Sequence, residues 1–108
     1  MSGEPLVALY EQALVLSQAM REAAQRGLWD ELLAVAQRRA PLMAEIEACP
    51  FDPGAEAVAD RRIAALIRAI LEADAETDQL TRSWMGELQG ILSSVATEKR
   101  LQDAYNPG

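Results

Sequence analysis

Apolar residues recur at three- and four-residue spacing along most of the chain, the period of one face of an α-helix. The first run is Leu6, Leu9, Ala13, Leu16, Met20 and Ala23. Pro5 precedes it, where a missing N–H costs nothing, and Gly27 follows it, where a helix C-terminus favours glycine. The spacing predicts helix 1 over about 5–26. The second run is Leu28, Leu32, Val35, Arg39, Leu42 and Ile46, apolar at five of six sites. It predicts helix 2 over about 28–48, with Asp30 and Glu31 in the first turn at the positive end of the dipole. So short a connection implies antiparallel neighbours. Pro41 falls inside this pattern and removes one backbone hydrogen bond. It predicts a kink near 37–41, or a break into two shorter helices.

Residues 49–54, Cys-Pro-Phe-Asp-Pro-Gly, form a dense turn cluster. Asp52 before Pro53 reads as a helix cap followed by a first-turn proline. Then come Ile63, Leu66, Ile70, Ala73, Thr77, Leu80, Trp84, Leu88, Ile91 and Val95, apolar at nine of ten sites. This predicts helix 3 over about 55–92. Gly86 and Gly90 each weaken it by about 1 kcal/mol relative to alanine, which leaves its end open between 86 and 95. Thr97 to Tyr105 predicts a short fourth helix over about 95–105, with Leu101, Ala104 and Tyr105 on one face and Pro107 and Gly108 ending it. The pattern therefore describes one all-α domain over 1–108. It is an antiparallel three- to four-helix bundle with a long third helix and a short C-terminal helix.

The lengths do not match. Helices of about 21 residues span roughly 32 Å, whereas helix 3 would span roughly 57 Å. An antiparallel hairpin would set the start of helix 2 opposite residues 76–78. Leu80, Trp84, Leu88, Ile91 and Leu92 carry the stripe onward. Each gains about 1.5–3 kcal/mol when fully buried, so an uncovered stripe is an interaction surface or an aggregation hazard. Three things could cover it: the tail folded back through Leu101 and Tyr105, a second copy forming a homodimer, or an amphipathic helix from a partner. A tail covering a partner site would be an autoinhibitory lid. The plainer alternative ends helix 3 near Gly86 and closes an ordinary four-helix bundle.

Composition narrows the function. The chain has 108 residues, 17 acidic and 10 basic, for a net charge of −7. Its 20 alanines and 14 leucines outnumber the 13 Val, Ile and Thr residues, which favours helix over sheet. It has no histidine, which excludes Ser/His and Cys/His catalysis and histidine metal sites. Its single cysteine, Cys49, cannot form an internal disulfide. The acidic balance disfavours nucleic acid as a partner. No run approaches the roughly 20 apolar residues of a membrane span, and Met1 to Pro5 lacks the basic start of a signal peptide. The expectation is a cytoplasmic protein that is not an enzyme and takes no cofactor.

The remaining polar features read as surface. Glu72, Asp74, Glu76 and Asp78 alternate, but a calcium loop needs Gly and Glu where Thr77 and Ser83 stand. Arg68–Glu72 and Asp78–Arg82 have i,i+4 spacing, and Asp74 lies nearest the stripe. Arg38–Arg39, Arg61–Arg62 and Lys99–Arg100 are too dispersed for a phosphate site, though they could guide an acidic partner. Arg39 takes a seam position. Trp29 reads as a cap on the end of the bundle, and Trp84 as either core or a binding anchor. Arg38-Arg39 and Leu42–Ile46 hint at a small all-α mutase, but the single lysine, Lys99, leaves too few converging cations for a dicarboxylate substrate.

Several segments occur in a familiar succession. Tyr10-Glu11 and Leu14 to Met20 lie in the opening helix, and Gly27-Leu28-Trp29-Asp30-Glu31-Leu32 turns into the second. Ile70-Leu71-Glu72-Ala73-Asp74-Ala75-Glu76, Leu80 and Trp84-Met85 follow in the third, and Arg100-Leu101-Gln102-Asp103-Ala104-Tyr105 lies near the end. In order and spacing the chain resembles the flagellar export chaperone FliT family. The resemblance implies a cytoplasmic chaperone of flagellar type III secretion. It would bind the C-terminal helical segment of the filament-cap protein and escort it to the export ATPase complex. Some members also restrain the flagellar master transcription activator. By position, the partner groove would use Leu32, Val35, Ile70, Thr77, Trp84 and Leu88, and an autoinhibitory lid would use Leu101, Ala104 and Tyr105. Another helical secretion chaperone, or a structural homodimer without a client, would look much the same.

Overall fold

The computed structural model describes residues 3–105. Three helices follow one another: α1 (Glu4–Gln25), α2 (Trp29–Ala48) and α3 (Ala57–Tyr105). No strand occurs among the described residues. Pro107 and Gly108, expected to end the chain's last helix, lie outside them.

α1 stops where its sequence makes stopping cheap. Gly27 has φ 70°, a left-handed conformation that a side chain disfavours. Around it the Leu28 N–H donates to the Ala23 carbonyl at 2.8 Å and the Gly27 N–H to the Ala24 carbonyl at 3.2 Å. These two bonds satisfy carbonyls that the helix end would leave unpaired. α2 then begins at Trp29 and runs unbroken through Pro41, so the break that was the alternative to a kink is absent. Pro41 and Gln37, the residue whose carbonyl loses its partner, are both exposed, and water can replace the missing bond.

The second connection differs from its expected form. Asp52 and Pro53 do not cap α3. They belong to a turn in which the Ala55 N–H donates to the Asp52 carbonyl at 3.2 Å and Gly54 has φ 86°. Pro followed by a positive-φ Gly is the signature of a type II turn. Asp60 then fixes this turn to α3 by accepting from the Gly54 N–H at 2.8 Å.

The larger correction concerns the tail. Helix 3 does not end near 92, and no separate fourth helix forms over 95–105. α3 is one helix of 49 residues, in a molecule 77 Å long and 20 Å across. Gly86 and Gly90 cost about 1 kcal/mol each, too little by themselves to stop the helix.

α1 is the central element. Both α2 and α3 pack on it, whereas no Cα of α2 comes within 8 Å of one in α3. Its buried face is built largely from small residues: Ala13, Ser17, Ala23 and Ala24, with Leu6 and Met20. Opposite them lie Val35, Leu42 and Ile46 of α2 and Ala59, Ile63, Leu66, Ile70, Ala73 and Thr77 of α3. Contacts with α3 advance along both chains together, from Arg62 with Glu11 to Glu76 with Gln25. Those between α2 and α3 run in opposite senses, from Trp29 with Trp84 to Arg39 with Asp74.

Gly27 and Gly86 differ in backbone geometry. Gly27→Ala must hold a left-handed φ and is expected to lower stability by about 1 kcal/mol. A methyl group at Gly86 meets no atom within 4 Å, so Gly86→Ala should raise stability and helicity by up to about 1 kcal/mol. Urea unfolding followed by circular dichroism reads both signs.

Candidate functional site

Two side-chain bridges join α2 to α3 across the gap between their backbones. The deeper one is polar. The Arg39 guanidinium, through Nη1, donates to Asp74 Oδ1 at 2.7 Å and to Ser17 Oγ at 2.9 Å, tying all three helices together. Ser17 is fully buried, whereas the Arg39 and Asp74 side chains keep 21% and 34% of their exposure. The pair is thus a hydrogen-bonded ion pair at the rim of the core, more strongly placed than a surface bridge. Arg39 was expected at the seam, and Asp74 near it. That they meet each other, on a buried serine, is added by the fold.

The second bridge is aromatic. Trp29 and Trp84 stack with ring centroids 4.7 Å apart and planes 27° from parallel. Trp29 was expected as an end cap and Trp84 as core or anchor, and the structure makes each the partner of the other. The stack also moves the reach of α2 along α3. The first residue of α2 lies opposite Trp84, not 76–78, because the turn after Gln25 carries the chain a further step along α3 before α2 begins.

Exposed acidic and basic residues make smaller ties. Glu76 of α3 accepts from the Gln25 amide at 2.9 Å and lies 3.7 Å from Arg21. Arg62 bonds Glu11 at 3.1 Å, and Arg82 bonds Asp78 at 3.0 Å. Arg68 donates to the Ala64 carbonyl at 3.4 Å rather than reaching Glu72. Among the described residues no group of three or more acidic, Cys or His side chains could hold a metal ion.

The expected groove residues separate into two kinds. Val35, Ile70 and Thr77 are buried against α1, and the Thr77 hydroxyl donates to the Ala73 carbonyl at 3.0 Å. As the structure stands they offer a partner no surface. Leu32, Trp84 and Leu88 are half-buried and border open space. Beyond Leu88 every described residue of α3 is exposed, including Ile91, Leu92 and Val95. The expected lid residues Leu101, Ala104 and Tyr105 lie on the last turns of the same helix. They are exposed, Tyr105 at 83%, and cover nothing. The end of the bundle is therefore an inside corner. Gly27, Leu28, Trp29, Asp30 and Glu31 form its floor, and Trp84 with the rest of α3 forms its wall.

The chain matches the family model described as "Flagellar protein FliT" over residues 7–107. A curated protein of Enterobacter sp. (strain 638), itself named "Flagellar protein FliT", is 28% identical over 90 residues. The match covers 83% of this chain and 74% of the relative. No solved structure matches. No helix among the described residues is long and apolar enough to cross a membrane.

Removing Arg39 strands a buried hydroxyl and a half-buried carboxylate. Arg39→Ala is expected to cost about 1–3 kcal/mol. In a double-mutant cycle with Asp74→Ala, read by urea unfolding, the pair should couple by more than a typical exposed bridge, above about 1 kcal/mol.

Proposed function

The chain belongs to the FliT family of flagellar chaperones, and on that premise we propose that it binds the C-terminal helical segment of the filament-cap protein. It would hold that segment unassembled in the cytoplasm and escort it to the flagellar export ATPase complex. Restraint of the flagellar master transcription activator would be a second role of the same surface. The observation that carries the reading is the apolar stripe of α3, which continues past the end of α1 and α2 and stays uncovered at Ile91, Leu92 and Val95. An amphipathic helix laid along it would bury those side chains and the open edges of Trp84 and Leu88. Each large side chain so covered contributes up to about 1.5–3 kcal/mol, enough in sum for micromolar affinity after the cost of association.

The tail would regulate this site. For Leu101, Ala104 and Tyr105 to cover the stripe, α3 must break between its last anchor, Trp84, and the tail. Gly86 and Gly90 lie there, with no side chain to lose. The straight helix is then the open state, and a folded-back tail the closed one. A client would shift the balance by binding only the first.

Calorimetry with the filament-cap C-terminal segment should give a dissociation constant of about 1 μM or tighter. Absence of binding would remove the client assignment. Truncation after Thr97, which keeps Val95 and removes Leu101, Ala104 and Tyr105, should strengthen the binding if the tail is a lid, and unchanged or weaker binding would refute that role.

A further inference from the structure

The uncovered stripe has a distinct electrostatic setting at its inner end. Asp30 and Glu31 stand on the floor of the corner, in the first turn of α2, and the exposed Glu87 follows Trp84 by three residues on α3. None of the three takes part in an ion pair among the described residues. Arg26 is the nearby base, and it shares its depression with Glu22 and Glu31, so acid still prevails. The indoles point the same way. Trp29 and Trp84 are both half-buried, and the exposed parts of their π-faces attract cations. Carboxylates and indoles at one corner therefore favour the same kind of occupant: a cation attached to an apolar body.

A second copy of the chain does not meet that description. The stripe is open only beyond Leu88, so two copies could overlap along residues 89–105. Running in opposite directions, they would bring Ile91 opposite Asp103 and Val95 opposite Lys99. Polar groups would then face the apolar positions, with no base for the corner.

We infer that this corner selects an amphipathic helix from a different protein, one whose apolar face lies along Leu88, Ile91 and Val95 and whose inner end carries lysine or arginine. The inference rests on the stripe being a client site, and it specifies the client's charge. The carboxylates hold the basic end and set where along α3 the helix stops. The indole pair covers the apolar stem of the same side chain.

Two tryptophan-free synthetic amphipathic peptides test this. They share one apolar face and differ only at one end, which carries two lysines or two glutamates. Trp29 and Trp84 are the chain's only tryptophans, so their fluorescence reports occupancy directly. The lysine peptide should bind the full chain about tenfold more tightly than the glutamate peptide. The ratio should fall close to one in the triple variant Asp30→Asn, Glu31→Gln, Glu87→Gln, and in about 1 M salt. Equal binding of the two peptides, binding of neither, or a ratio unchanged in the triple variant overturns the inference. If the peptides discriminate while the filament-cap segment does not bind, the client assignment alone fails and the charge rule stands.

Discussion

Both α2 and α3 depend on α1, and α1 can serve both because its buried face is small. Ala13 and Ser17 have no exposed surface, and Ala23 and Ala24 continue the face toward the turn. Short side chains let two helices approach a third closely without touching each other. Arg39 to Asp74 and Trp29 to Trp84 reach across between α2 and α3, and Leu42 and Ile46 of α2 share one core cluster with Ile63 and Ile70 of α3. Everything distinctive about the molecule follows from that arrangement. α1 reaches Glu76 of α3, α2 reaches on to Trp84 through the tryptophan stack, and beyond Leu88 every described residue of α3 is exposed.

The helical class could be read directly from the apolar period, and so could the end of α1, where Gly27 supplies a conformation other residues resist. The stripe of α3 was also plain in the sequence, and with it the excess of apolar surface over available cover. What sequence could not supply is which distant groups meet. Arg39 and Asp74 are 35 residues apart, and nothing local to either selects the other or places Ser17 beneath them. The same holds for the two tryptophans, each sensible by itself as a cap or an anchor. Asp-Pro-Gly at 52–54 was ambiguous for another reason. Its residues suit a helix start and a type II turn equally, and only the positive φ of Gly54 separates the two.

Burial divides the residues expected to line a partner groove into two sets. Periodicity identifies which residues share a face but not which part of that face another helix already occupies. Val35, Ile70 and Thr77 lie on the expected side of their helices and are consumed by α1. Leu32, Trp84 and Leu88 lie on the same stripes but nearer the open end, and they remain half available. The boundary between core and surface is thus set by the length of α1, not by any change in the character of α3.

The proposed fold-back of the tail would give α3 a second conformation. Each glycine in α3 removes about 1 kcal/mol of helix preference, and both fall within the turns that follow the last aromatic anchor. Straight, the helix exposes Ile91, Leu92, Val95 and Leu101 to water, a cost that no contact among the described residues offsets. Folded back, it would cover part of that surface and forfeit several backbone hydrogen bonds at the break. In that proposal a client helix would select the straight form, because it could reach the stripe only when the tail leaves it open. The excess of apolar stripe over core is then what would let the tail and a client compete for one surface.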